Sequence, residues 1–357
     1  MASVVLVTGA SSGIGLATAV AFARDGDRVF ATVRDGRGRE ALQQAGAPIE
    51  AVTMDVRDDA SVRSAVDGTV AAAGRIDVLV NNAGISHIGA VETTPDDVWR
   101  QLFEVNVLGP VRVLRAVLPS MRAAGSGTIV NVSSMNGRVP ATFGGAYSAT
   151  KFALEGLSES LLFEVEPFRV RVVIVEPGQF DTPIFSKMQS ALAASADPTS
   201  PYAEREAKML GASLPAGNGP ADPADAAAVI VAAARGDRPG FRHVAGADAE
   251  AILAARVGAG SDEAWFDLVR AFLSQRADPD SADDGDARKV DARSVHHSQS
   301  FGGMWFTRGV FDPIRGSIVA KELERLTIAM FEADWAVAKQ RLGREPTILE
   351  LKRTPAQ

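Results

Sequence analysis

Short runs of apolar, β-branched residues recur along the first two-thirds of the chain and alternate with longer stretches of helical spacing. Ser3–Val7, Arg28–Val33, Ile49–Met54, Ile76–Val80, Thr128–Val132, Val170–Val175 and Phe241–Val244 predict strands. Between them, Ile14–Arg24, Ala60–Ala73, Asp96–Ala124, Ala146–Glu166 and Pro223–Arg235 predict helices. Val170–Val175 is apolar toward both faces, as a strand covered on both sides by helices must be. Strand–helix alternation with right-handed crossovers predicts an α/β fold built on a doubly wound parallel sheet, in which ligands gather at the C-terminal strand ends.

The alternation stops near Gly246, which divides the chain into an expected α/β domain over 1–247 and a helical C-terminal extension over 248–357. Ala249–Ala277 has helical spacing around a cap-bearing Ser261-Asp262-Glu263, and the acidic stretch near 278–293 reads as a linker. Beyond it Val319, Leu323, Leu326, Met330, Ala333 and Val337 fall on one helical face. Lys321, Glu322, Glu324, Arg325 and Glu332 around that stripe mix both signs, which favours docking on protein over a membrane surface.

Composition narrows the function classes. Hydrophobic residues make up 46% and charged residues 23%, an ordinary globular balance. A formal net charge of -7 argues against nucleic acid or an anionic membrane as the main partner. Cysteine is absent, so neither a disulfide framework nor a thiolate site is available. The first apolar run is too short for a signal-peptide core, and no apolar stretch reaches the length of a membrane span, so a cytoplasmic protein without an integral membrane segment is expected. His296 and His297 beside the linker are read as solvated residues of a polar loop, and no metal site is expected.

The expected strand ends carry the chemistry. Thr8-Gly9-Ala10-Ser11-Ser12-Gly13-Ile14-Gly15 follows the first strand and opens a helix, an arrangement that brings free backbone N–H groups to a dinucleotide pyrophosphate. The second strand ends Thr32-Val33-Arg34-Asp35, so residues suited to a ribose hydroxyl and to a 2′-phosphate are adjacent. Asp55-Val56 and Asn81-Asn82-Ala83-Gly84 end the third and fourth strands; Ala83 and Gly84 admit a ligand against backbone, and Asn82 can bridge strand ends. Tyr147 and Lys151 are one helical turn apart, where an ammonium can stabilise a phenolate, and Ser134 ends the fifth strand, where a hydroxyl can polarise a substrate oxygen.

Taken together, Thr8–Gly15, Asn81–Gly84, Ser134, Tyr147-Ser148-Ala149-Thr150-Lys151 and Pro177-Gly178 resemble, in order and spacing, the short-chain dehydrogenase/reductase family. The resemblance implies a Rossmann-like domain that moves a hydride between a nicotinamide and a ketone/secondary alcohol pair. It assigns Tyr147 as acid/base, Lys151 as the group lowering its pKa, Ser134 (over Ser133) as the carbonyl-orienting residue, and Asn106 to a water-mediated proton relay through Lys151. It also places Gly9, Ser11, Ser12, Gly13, Ile14, Gly15, Asp55, Val56, Asn82, Ala83, Gly84, Pro177, Gly178 and Thr182 around the cofactor, together with Tyr147 and Lys151. The family's acidic NAD-selecting position falls on Val33 with Arg34 next, which favours NADP(H) and leaves NAD(H) possible; Ser12 stands where many NADP-preferring members have a basic residue.

Val29–Asp35 is similar to the hydroxysteroid and retinol dehydrogenase branch. The long loop from Phe180 to Pro215, carrying Phe185, Met188, Leu192, Tyr202, Met209 and Leu210, reads either as an apolar lid over a lipophilic small-molecule substrate, with Met135–Phe143 as a second wall, or as a loop packed down by those same residues. Family members commonly form homodimers or homotetramers. The rival readings are a non-catalytic NADP-binding sensor or scaffold and an NAD-dependent alcohol dehydrogenase.

Overall fold

Seven strands run parallel through the first part of the chain: β1 (Val4–Val7), β2 (Arg28–Val33), β3 (Ile49–Thr53), β4 (Val78–Asn81), β5 (Gly127–Val132), β6 (Val170–Pro177) and β7 (Arg242–Ala245). In this computed structural model the described residues are 2–184, 199–206, 220–262 and 264–269, with the backbone of 295–299 and 305–309. The sheet order is β3-β2-β1-β4-β5-β6-β7, so the winding reverses between β1 and β4 and opens a crevice above their C-terminal ends. The register is tight: Val5 lies beside Val29 on one side and Val78 on the other.

Successive side chains of a strand point to opposite faces, and the sequence fills both. Val5 and Val7 of β1 pack with Phe22 of α1 (Gly13–Arg24) on one face; Val4 and Leu6 pack with Val62 and Val66 of α3 (Asp59–Ala73) on the other. α5 (Gly109–Ala124) and α6 (Gly145–Val165) join the second face, while α7 (Pro223–Arg235) joins the first through Ile230. Each fully buried large side chain is worth roughly 1.5–3 kcal/mol of transfer free energy, so two continuous apolar layers hold the sheet in place.

Two elements depart from the expected pattern. α2 (Gly36–Gln44) lies in a polar stretch with little periodic signal; only Gly38 and Leu42 are buried, and the Asp35 carboxylate starts the helix by accepting from the Gly38 N–H at 3.0 Å. The single helix expected over Asp96–Ala124 is interrupted. α4 (Asp96–Phe103) passes into a π turn at Glu104–Leu108 before α5 begins. The extra residue of a π turn re-aims its side chains, and here it carries Asn106 into the interior.

The chain separates into two compact units, Met1–Leu268 and Val269–Gln357. The first extends past the boundary expected at 247, because α8 (Ala247–Gly258) buries Ala249 and Leu253. The helix expected over Ala249–Ala277 breaks at Gly260, and the Ser261 hydroxyl then accepts the Ala264 N–H at 3.2 Å as a new helical segment begins. In the second unit β8 (Val295–Gln299) and β9 (Trp305–Gly309) pair antiparallel. His296 and His297 therefore sit on a strand rather than in a polar loop, and this part of the extension is not helical: residue-by-residue pairing satisfies the backbone that a loop would leave to water. The stripe from Val319 to Val337, the 278–293 linker, and Phe185, Met188, Leu192, Met209 and Leu210 lie outside the described residues. Among the described residues no helix is long and apolar enough to cross a membrane.

Candidate active site

A cleft of about 530 Å³ follows the C-terminal ends of β1, β2, β3, β4, β5 and β6. At its floor the glycine-rich turn leads into α1. Gly13 has φ +56, and a Cβ there would press on the Thr182 methyl at 2.9 Å, so only glycine lets the turn meet the far wall. Ser12 gives α1 no side-chain cap, and its first turn contains no acidic residue. By contrast, Asp35, Asp58 and Asp222 cap α2, α3 and α7. An uncapped positive helix end with no carboxylate beside it suits a pyrophosphate. Asn82 holds the turn rather than facing a ligand with its amide: that group donates to the carbonyls of Thr8 at 2.9 Å and Gly9 at 3.1 Å. The Thr8 hydroxyl in turn accepts from the backbone N–H groups of Asn82 and Ala83, both at 3.0 Å.

At the β2–β3 end Arg34 lines the cleft, whereas the neighbouring Asp35 spends its carboxylate on α2. This separates two residues that spacing alone left equivalent. Asp55 also lines the cleft, and Arg57 grips it at 2.6 and 3.0 Å, holding its carboxyl below the usual range. Arg57 reaches the cleft as well and was not anticipated; the only sequence signal was a basic residue two positions beyond a strand-end acid.

At the other end Ser134, Tyr147 and Lys151 converge. α6 buries Lys151, whose ammonium donates to the Val132 carbonyl at 3.0 Å and lies 5.7 Å from the centre of the Tyr147 ring. Burial lowers the Lys151 pKa to about 8, partly opposed by Glu155 one turn along the helix. In this structure burial dominates the Tyr147 phenol. Burial pushes Tyr147 up to about 12 and a hydrogen bond with Ser134 opposes it, so the phenol keeps its proton at neutral pH. The Ser134 hydroxyl also accepts from the Asn136 N–H at 3.2 Å, which fixes it over the strand end.

Asn106 ties the β4 exit to α6. Its carbonyl oxygen accepts from the Ile85 N–H at 2.9 Å, and its amide donates to the Ile85 carbonyl at 2.9 Å and the Thr150 hydroxyl at 3.0 Å. Thr150 then donates to the Tyr147 carbonyl at 2.7 Å. Of the 135–143 stretch Met135 and Asn136 line the cleft, with Ile85, Ile88 and Ile184. His87, unforeseen, also lines the cleft, and burial pushes its pKa down. Of the long loop, Tyr202 donates to Glu92 at 2.5 Å and meets the Phe143 ring edge-on, with 6.4 Å between centroids.

Residues 3–193 match the family described as short chain dehydrogenase. The chain belongs to that family. It is 40% identical over 179 residues to a 3-ketodihydrosphingosine reductase of Bacteroides thetaiotaomicron, covering 50% of this chain and 64% of the relative. It is 41% identical over 196 residues to human 17-beta-hydroxysteroid dehydrogenase type 1, covering 52% and 59% respectively. The chain thus spans about three-fifths of the length of these curated relatives. Among solved structures, a short-chain dehydrogenase from Streptomyces avermitilis superposes with a TM-score of 0.62 at 39% identity, over 80% of this chain and 99% of that one.

Proposed function

We propose that the Met1–Leu268 unit is an NADP(H)-preferring oxidoreductase that interconverts a lipophilic ketone and its secondary alcohol. One observation carries the reading: a single cleft joins an uncapped helix start and Arg34 at one end to Ser134, Tyr147 and Lys151 at the other. The α1 N-terminus holds the pyrophosphate, Arg34 the 2′-phosphate through paired charge-assisted hydrogen bonds, and Pro177, Gly178 and Thr182 the nicotinamide end. When bound, the nicotinamide supplies or accepts the hydride.

The protein's own residues then handle the proton and the oxygen. Ser134 orients the substrate oxygen with its hydroxyl. Tyr147 stays protonated at neutral pH and donates its phenolic proton to that oxygen in reduction, or takes the proton back in oxidation. Lys151 keeps positive charge near the phenol and holds the nicotinamide ribose, and Asn106 supports the helical turn that carries both. Ile85, Ile88, Met135 and Ile184 exclude water and favour an apolar substrate body. The names of two relatives, a 3-ketodihydrosphingosine reductase and a 17-beta-hydroxysteroid dehydrogenase, agree with a lipophilic ketone.

The test is a screen of steroid, long-chain and cyclic ketones with NADPH and NADH, run beside Tyr147→Phe. The variant should lose about a hundredfold or more in kcat, the scale of positioned acid–base catalysis, while its affinity for NADPH holds. A Tyr147→Phe enzyme with near-normal turnover would remove Tyr147 from the mechanism.

A further inference from the structure

We propose that Asp248, in the first turn of α8, is a positioning residue for the nicotinamide end of the cleft, an inference that rests on the cofactor reading above. β6 leaves the sheet through Pro177, Gly178, Gln179 and Phe180, and all four line the cleft. The Asp248 carboxylate lies directly on this turn. One oxygen accepts the Gln179 N–H at 2.7 Å, and a Cβ on Gly178 would land on the carboxylate itself, so the glycine is what allows the contact.

Asp248 is only 8% exposed, and a charge-assisted hydrogen bond shielded from water is about twice as strong as a neutral one. Backbone bonds flank this contact: the Gly178 N–H donates to the Ala245 carbonyl at 2.9 Å, and the Gln179 carbonyl accepts from the Ala221 N–H at 3.0 Å. Asp248 thus supplies a side-chain restraint on the Gln179 N–H, in the middle of the turn. Further along, Thr182 presses against Gly13, so the height of the turn sets the width of the cleft between the glycine-rich floor and the catalytic wall. Arg34 and Asp55 stand at the ends of β2 and β3, on the far side of the sheet order, and have no part in this contact. Asp248 also lies outside residues 3–193 that match the family, and no motif pointed to it.

The experiment measures binding of NADPH and of 2′,5′-ADP, which carries the adenosine end without the nicotinamide. The full chain is compared with Asp248→Ala, Asp248→Asn and Asp248→Glu, alongside ketone reduction and thermal melts. In Asp248→Ala, NADPH affinity and kcat should each fall about tenfold, the scale of one hydrogen bond to a charged group, while 2′,5′-ADP affinity stays within about twofold. Asp248→Asn keeps an acceptor oxygen on the same skeleton and should restore most of the loss. Should the alanine variant not fold, Asp248→Glu must show the same selective loss, because its carboxylate is displaced by one methylene. Folded variants with unchanged NADPH binding and kcat overturn the proposal, as does an equal loss for both nucleotides. A wild-type chain that binds neither nucleotide defeats the cofactor reading itself, and the inference with it. One that binds NADPH but reduces no ketone leaves the binding comparison decisive.

Discussion

Burial acts on Tyr147 and Lys151 in opposite directions, because it favours the neutral form of each. With Tyr147 near 12 and Lys151 near 8, the first group to change as pH rises from neutrality is Lys151, which loses its positive charge. Carbonyl reduction needs the phenol protonated and the ammonium charged. Its kcat/KM, which reports the free enzyme, is therefore expected to be level below about pH 8 and to fall above it. Alcohol oxidation starts from the phenolate, so its rate should climb as pH rises toward about 8 and stop gaining once Lys151 loses its charge. A reduction profile that stays flat to about pH 10, close to the unperturbed lysine value, would overturn either the lowered Lys151 pKa or the need for its charge, and a Lys151→Ala profile tells which. Asp248 belongs to this scale too, since its carboxylate packs on Gly178 and holds the turn through one oxygen on the Gln179 N–H.

At the scale of elements, the end of β2 and the start of α2 decide how the cofactor is told apart. The two adjacent charges Arg34 and Asp35 diverge because α2 needs a cap and takes Asp35 for it. Arg34→Ala is expected to raise the KM for NADPH far more than that for NADH, since a guanidinium gripping the 2′-phosphate has no counterpart in NADH. Asp35→Ala should lower stability by about 1 kcal/mol, an N-cap's worth, and leave the NADPH-to-NADH ratio unchanged. Steady-state kinetics with both nucleotides and a denaturant melt separate the two effects; equal KM changes in Arg34→Ala would make that residue a bystander. The π turn is a second case. It places Asn106 where three hydrogen bonds join the β4 exit to α6, so an interruption of helix geometry becomes the support for the catalytic turn.

At the scale of the molecule, the first unit closes at Leu268 and contains every described cleft residue and, behind them, Asp248. Truncation after Ala277 should leave a folded protein that binds NADPH and retains turnover, as measured by a cooperative melt and the ketone screen. A truncated chain that folds yet turns over none of the substrates of the full chain would make the remainder part of the active site. A cut after Ala247 is a different matter, because it removes Asp248 and the buried Ala249 and Leu253.

Much of this protein was legible in one dimension. The parallel strands announce themselves because a strand buried on both faces must be apolar throughout, as Val170–Val175 nearly is. The glycine turn and the Tyr147–Lys151 spacing are local constraints of backbone and helix geometry that survive any packing. α2 was invisible because its stability comes from the Asp35 cap and from packing at Gly38 and Leu42 rather than from a periodic apolar face. The direction of the Tyr147 shift, the division of labour between Arg34 and Asp35, the presence of Arg57 and His87 in the cleft, and the Asp248 contact all waited for the tertiary structure. The Tyr147 shift depends on desolvation, the Arg34–Asp35 division on where α2 starts, and the Asp248 contact on segments far apart in the chain: Asp248 reaches Gln179 across 69 positions, and sequence spacing carries no record of such an approach.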